Sequence, residues 1–295
     1  VQLVYSLVAS WLFAGNWAVG KVRRFAPVWS GGVGLNIHNY ECMKDSPVSL
    51  LKVRATYGQT GKINFPAYAA RTTYTILSDE WYKTGFGATL KALGNTDLTW
   101  ETTNTFDVGF ELGLWNDRFY TKFSYYDKVT KDLINDVTIP SSTGFTTYRD
   151  NIGEISNRGV EVDLRITAIQ RRDLFLTFNA NLAHNRNRLT KISHSLQEYN
   201  RRVQDLIDNG NIFQDDFMSK PFTQYVEGVS INSIWGMKSL GINPATGEEV
   251  FVTKDGQITS NWITSQQQVL GTTDPTIQAS FGFNLQWKQF TLYPT

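Results

Sequence analysis

The sequence predicts an all-β chain, an antiparallel transmembrane β-barrel segment of about nine long strands. Three observations carry this. From Thr99 to Leu114 apolar and polar residues alternate for about fifteen positions, whereas an ordinary soluble strand runs to about 5–6. Long and tight connections take turns along the chain, the rhythm of a barrel with long loops on one side and short turns on the other. No stretch approaches the ~18 consecutive apolar residues of a membrane helix, although aromatic residues make up 14% of the chain.

The elements follow in order. From Val1 to Phe13 the odd positions Leu3, Tyr5, Leu7, Ala9, Trp11 and Phe13 form an apolar face opposite a mixed one. Gly15 to Arg24 reads as a loop. Phe25 to Ile37 alternates again, with Pro27 near its start, where a missing donor is tolerable. A connection over His38 to Ser49 leads to Leu50–Tyr57, and a long one over about 58–98 leads to the hairpin around Asn116-Asp117. In that hairpin Trp100, Thr102, Asn104, Phe106, Val108, Phe110, Leu112 and Leu114 share one face. Thr99, Glu101, Thr103, Thr105, Asp107, Gly109 and Glu111 share the other, and the return runs from Arg118 to Tyr126. A second long connection is expected over about 127–157, then strands at Arg158–Ile169 and Leu174–Leu182 joined by a tight turn. The third and longest, about 184–275, precedes Thr276–Trp287, a turn at Lys288-Gln289, and a strand that starts at Phe290. Within it Leu196, Tyr199, Val203, Leu206 and Ile207 have helical spacing with a stop at Asn209-Gly210, and turns flank a short strand, Glu249–Thr253. The whole of 1–295 reads as part of one barrel domain.

Composition excludes several classes. A net charge of +1 offers no basic stripe for nucleic acid. The single Cys42 rules out an internal disulfide or a thiolate metal cluster. Val1 begins inside an alternating strand with no signal peptide before it. His38, His184 and His194 lack ligand spacing, no GxSxG elbow is present, and the glycines near Gly94, Gly153 and Gly159 fit no GxxxxGK[ST] phosphate loop. Asp215-Asp216 and Glu248-Glu249 lack EF-hand spacing and read as solvated loop faces. No enzyme, cofactor or metal site is expected.

Four runs carry a family resemblance. Leu51–Gly61 (LKVRATYGQTG) and the hairpin Asn95–Arg118, with its N-x-x-L-x-W-E opening, resemble stretches of the SusC/RagA-type TonB-linked outer-membrane transporters of Bacteroidota. Asn151–Glu161 (NIGEISNRGVE) is similar to that family's N-x-G-x-I-x-N-K-G-V-E, with Arg158 in place of Lys. Gly236–Gly256 resembles a family loop from which Asn243 and Phe251 depart. The resemblance implies a 22-stranded barrel around an N-terminal plug, a location in the outer membrane, and import of a glycan or peptide without bond chemistry. It also implies a SusD-like surface lipoprotein as partner and energy supplied by TonB through the plug. The plug and the TonB-contacting segment are not among these residues, so the chain reads as a piece of the later barrel. A passive porin-like barrel and a soluble carbohydrate-binding β-sandwich are the alternative readings.

Two groups of candidate site residues emerge. Glu101, Asp107, Glu111, Glu161, Asp163 and Arg165 fall on the polar face and are expected to face the lumen, to hold a plug or to be solvated. The loop aromatics Trp81, Tyr82, Tyr68 and Trp262, with Phe65 and Tyr74, are candidates to stack on solute or to pack small loop cores.

Overall fold

The computed structural model describes residues 5–15, 25–43, 46–63, 69–82, 85–138, 144–145, 147–208 and 224–293. Nine strands form one antiparallel sheet: β1 (Tyr5–Gly15), β2 (Phe25–Asn36), β3 (Val48–Lys62), β6 (Glu101–Leu114), β7 (Phe119–Thr138), β8 (Thr147–Arg171), β9 (Leu174–Ile192), β15 (Ile277–Trp287) and β16 (Phe290–Leu292). Their order in the sheet is their order in the chain. Antiparallel order puts the strand ends Asn36 and Val48, Leu114 and Phe119, Arg171 and Leu174, and Trp287 and Phe290 at one end of the sheet, and Gly15 and Phe25, Lys62 and Glu101, Thr138 and Thr147, and Ile192 and Ile277 at the other.

Period two assigns the faces. The pairs Val53↔Phe110, Phe110↔Phe123, Phe123↔Val162, Val162↔Leu182 and Leu182↔Ala279 place one unbroken apolar row across six strands. Parallel rows above and below it make a belt, from Phe106 to Leu114 on β6 and from Val160 to Ile166 on β8. That height matches the ~9–11 residues with which a tilted strand crosses a bilayer. Leu7 and Phe281, both on this outer face, remain 81% and 86% exposed. So large and continuous an apolar surface is foreign to a water-soluble monomer.

The tight turn after β6 contains four residues, one pair wider than the expected Asn116-Asp117. Trp115, Asn116 and Asp117 all take positive φ (53°, 55° and 60°). External bonds hold this run. The Trp115 amide donates to the Pro47 carbonyl at 2.8 Å, and the Ser49 hydroxyl donates to Asp117 Oδ1 at 2.6 Å.

The long connections differ from the expectation. Most of 127–157 is strand, because β7 runs to Thr138 and β8 starts at Thr147. Likewise β3 continues to Lys62, and β4 (Thr73–Tyr82) pairs with β5 (Gly85–Ala92) in a separate hairpin inside 58–98. Within 184–275, β9 continues to Ile192 and α1 (His194–Asp208) follows. Then come β10 (Ser233–Gly236), β11 (Lys238–Ile242), β12 (Glu249–Val252), β13 (Ile258–Thr259) and β14 (Gln268–Thr272). The helix falls where its spacing placed it; its stop at Asn209-Gly210 lies outside the described residues.

The physical reason for the extra strand length is a swap of face polarity. On β9 the outer residues Leu174, Leu176, Phe178, Ala180 and Leu182 give way to His184, Arg186 and Arg188. On the inner face Asn179, Asn181, Asn185 and Asn187 give way to Leu189, which is 1% exposed. Above the belt, α1 packs against the extensions of β7 and β8. Val137, Ile152 and Leu196 form a buried cluster there, backed by Leu133, Ile192, Tyr199, Tyr225 and Ile231. Bulges between Thr130 and Ile134 and between Glu154 and Ile155 slip the register at the same level. Gly153 sits in one with φ 139°, where a Cβ would strike the Lys191 carbonyl.

Candidate functional site

The polar inner face of the belt gathers the charged candidates. One row reads Lys52↔Glu111↔Lys122↔Asp163↔Asn181↔Ser280 from β3 to β15, with alternating sign over its first four members. Directly opposed side chains of opposite charge contribute about 0.2–1 kcal/mol each. The neighbouring rows are tied into it. The Tyr120 hydroxyl donates to Glu111 Oε2 at 3.3 Å, and the Arg165 guanidinium lies 4.9 Å from the Tyr120 ring centre. Arg54 Nε is 3.6 Å from Asp107 Oδ1, while Arg54 Nη2 donates to Ser124 Oγ at 2.8 Å.

Further toward the long connections, Tyr126 donates to Asn185 Oδ1 at 3.3 Å and carries Lys128 over its ring at 4.5 Å. Gly159 lies beneath this tyrosine, and a Cβ there would strike its hydroxyl and the His184 carbonyl. The wall thus carries both signs side by side, with Arg54 paired to Asp107. The opening it leaves is a recess of about 280 Å³ beside Glu161 and Asp163, completed by Asn181, Gln278 and Ser280. Its chemistry suits cations, amines and hydroxyl groups.

The six charged candidates share one face but not one site. Glu111, Asp163 and Arg165 meet in the same network, and Glu161 stands two residues from Asp163 on the same recess. Asp107 is engaged by Arg54. Glu101 stands at the other end of β6, opposite Lys62. It is 6% exposed, and its Oε2 has no hydrogen-bond partner among the described residues. Sequence reasoning missed Lys122, Tyr120 and Tyr126. The signal was present, since the hairpin turn fixes the register that sets Lys122 against Glu111.

The aromatic candidates do not converge. Trp81 and Tyr82 end β4, where their backbones pair with Phe86 and Gly85. Tyr68 and Phe65 lie outside the described residues. Tyr74 is exposed on β4. Trp262 packs edge-on against Phe251 (5.4 Å, 88°), with its Nε1 buried and unpartnered among the described residues, so its geometry is that of a small loop core.

Two asparagines tie the shared motifs together. Asn151 Oδ1 accepts from the Thr99 amide at 3.0 Å, and its Nδ2 donates to the Asp132 carbonyl at 2.7 Å and to the Thr99 carbonyl at 3.3 Å. Asn95 Nδ2 donates to the Arg149 carbonyl and to Asp150 Oδ1, both at 3.0 Å. The segment entering β6 is thereby clamped to β8 across β7. Outside the belt, Arg149 grips Asp136 through two bonds of 2.7 and 2.8 Å, which hold the Asp136 carboxyl below its ordinary range. On α1, hydrogen bonds from Arg201 bring Glu198 down to about 2.

Comparison with known proteins places this architecture. The family model described as TonB dependent receptor-like, beta-barrel matches residues 14–292. TonB-dependent receptor P3 of Formosa agariphila is 26% identical over 94% of this chain and 28% of its own length. TonB-dependent receptor SusC of Bacteroides thetaiotaomicron is 30% identical over 71% of this chain and 22% of its own. The structure of the RagAB peptide importer in its closed-closed state superposes with a TM-score of 0.77 at 23% identity, over 98% of this chain and 31% of the importer chain. The chain thus spans under a third of the length of these proteins. Matched along nearly its whole length, with nine strands in sequential antiparallel order, the chain belongs to the TonB-dependent receptor-like β-barrel family.

Proposed function

We propose that this chain is barrel wall and loop in an outer-membrane importer that takes up a glycan or peptide, drawing energy from TonB. The carrying observation is the two-faced sheet, with an apolar belt of bilayer height outside and a ladder of charges of alternating sign inside. In this reading the outer face meets lipid and the tight turns at 115–118, 172–173 and 288–289 are periplasmic. Glu101, Asp107, Glu111, Glu161, Asp163 and Arg165 face the lumen or a plug contributed by the rest of the polypeptide. A wall of mixed sign suits a wet interior, where its charges meet water and the hydroxyl or amide groups of a passing solute.

The long connections, with α1 and the small sheets, would meet the solute and a SusD-like surface lipoprotein. Trp81, Tyr82 and Tyr68 would supply apolar rings to the solute, with Trp81 and Tyr82 the first to test. The mechanism is binding and gated release, with no covalent step. The experiment is uptake by a deletion strain complemented with the full-length receptor, offered oligosaccharides or peptides in turn as the limiting nutrient. Growth restored on one class, and abolished when TonB is removed, supports import. Growth that survives loss of TonB identifies a passive pore and overturns it.

A further inference from the structure

The outer face changes character abruptly on β9. Five apolar residues from Leu174 to Leu182 are followed, on the same face, by His184, Arg186 and Arg188, all exposed. Arg158 stands directly opposite Arg186 on β8, and its Nε lies 2.9 Å from Asp127 Oδ2, so its charge is shared. Arg186 and Arg188 have no acidic partner among the described residues. Successive residues on one face of a strand are roughly 7 Å apart, so the two guanidiniums can converge on one anion.

The sheet also opens here. Pairing of β15 with β9 begins at Ile277↔His184, so above His184 the β9 edge is left by β15. The gap is a recess of about 280 Å³ lined by His184, Arg186, Asn187, Ser230 and Asp274 among others. The acid in it is engaged: Asp274 accepts from Asn232 Nδ2 at 2.9 and 3.1 Å and from Ser230 Oγ at 3.4 Å. The other acid near these arginines on the outer face, Glu154, accepts from Thr190 Oγ at 3.0 Å.

We propose that Arg186 and Arg188, assisted by Arg158, bind the phosphate of an anionic lipid headgroup at the rim of the apolar belt. The belt beneath would take the acyl chains, and the planar guanidiniums suit a phosphate with two parallel hydrogen bonds each. This is a lipid site and not a solute site, because both arginines lie on the face opposite Asn185, Asn187 and the charge ladder. The inference rests on the reading that the outer face meets the bilayer.

The test uses the full-length receptor in detergent micelles titrated with phosphatidic acid, with phosphatidylcholine as the control, and native mass spectrometry counts bound lipid. Each surface cation near an anionic headgroup layer changes affinity about fivefold, so R186Q/R188Q should bind phosphatidic acid roughly 10–30-fold more weakly and phosphatidylcholine unchanged. Equal binding by the variant overturns the proposal. Strong competition by inorganic phosphate alone also overturns it, since that would make this a free-phosphate site. A spin label at Phe178 in a reconstituted bilayer separates the two readings. A label reached by oxygen but not by a water-soluble quencher, with unchanged lipid binding in R186Q/R188Q, sinks only the lipid site. A label reached from water sinks the membrane reading beneath it.

Discussion

The belt and the extension above it are built from the same strands with opposite instructions. In the belt, β9 presents Phe178 and Leu182 outward and Asn179 and Asn181 inward. A few residues later, Arg186 and Arg188 point outward and Leu189 is buried inward under the loop structure. Backbone pairing continues through the change, so the sheet is one object while its surroundings are two. What a strand residue should be is set by the medium on its face and not by the strand itself.

Arginine placed at three sites on β9 tests that contrast with the largest expected effect. Leu189→Arg puts an unpaired charge into a fully buried position and should cost several kcal/mol, about 3–5. Phe178→Arg, on the outer belt, should cost at most about 2–4 kcal/mol, the less the nearer it lies to an interface. Asn181→Arg shares the inner face with Leu189 but lies in the belt, is exposed, and should stay within about 0.5 kcal/mol. Folded yield of the full-length receptor, read by heat-modifiable gel mobility, ranks the three. A costly Asn181→Arg beside a tolerated Leu189→Arg would show that the inversion is misassigned.

The same contrast explains what was legible in the sequence. All nine strands of the main sheet were readable, because within the belt lipid-type and polar residues alternate without interruption. The reading stopped at Tyr126, Arg158 and Leu182, the level where the faces exchange polarity. Asp127-Lys128, Asn157-Arg158 and Asn185 to Arg188 are polar on both faces, and a hydrophobic period has nothing to register there. The bulges beyond then shift the phase, so Ile134, Val137 and Ile152 look like scattered apolar residues in a loop. For the inner wall, the acids were visible from alternation alone. Their partners Arg54, Lys122 and Tyr120 come from adjacent strands, and only the pairing register reveals them. Asn151 stands out in the sequence only as the start of the run NIGEISNRGVE; its role as a clamp was hidden because its partner Thr99 is 52 residues away.

Leu196 holds the extension's own core together. It is 1% exposed, on α1, and packs with Val137 and Ile152. Leu196→Ala should cost about 2–5 kcal/mol of local stability while leaving the belt intact. Limited proteolysis of the full-length receptor would then show α1 cut at much lower protease concentration with the barrel fragment unaltered. If the barrel itself becomes heat-labile, the extension and the belt are not separable units.

Asn151→Ala tests the joint between the two regions. It leaves the Thr99 amide and the Asp132 carbonyl without their side-chain partner, at about 1–3 kcal/mol per buried group. Hydrogen exchange should speed up at Thr99 and in the first residues of β6, and stay unchanged near the Trp115–Asp117 turn. Asn151→Asp should rescue in part, since its carboxylate can still accept from Thr99 but cannot donate to Asp132.

The smallest effect separates the two regions by pH. Asp136 and Arg149 close the outer end of the β7–β8 hairpin, and the hydrogen bonds from Arg149 are the main reason that the Asp136 carboxyl titrates below its usual value of 3.8. A carboxylate with a depressed pKa in the folded state lends stability that is complete above the unfolded value and is lost as pH falls through the folded one. The hairpin tip should therefore hold at pH 5 and loosen below about pH 4, while the belt, which owes its stability to apolar burial, should not respond in that window. The pair is partly exposed, 30% for Arg149 and 43% for Asp136, so solvent screening keeps its contribution under about 1 kcal/mol. Protection from exchange at Val137 and Tyr148, taken relative to the intrinsic amide rate at each pH, should fall in the parent protein from pH 6 to pH 3. In Asp136→Asn protection should already be lowered at pH 6 and respond less to acid. A parent profile as flat as that of the variant would mean that the cluster of Val137, Ile152 and Leu196 alone closes the hairpin, with the ion pair a bystander on its surface.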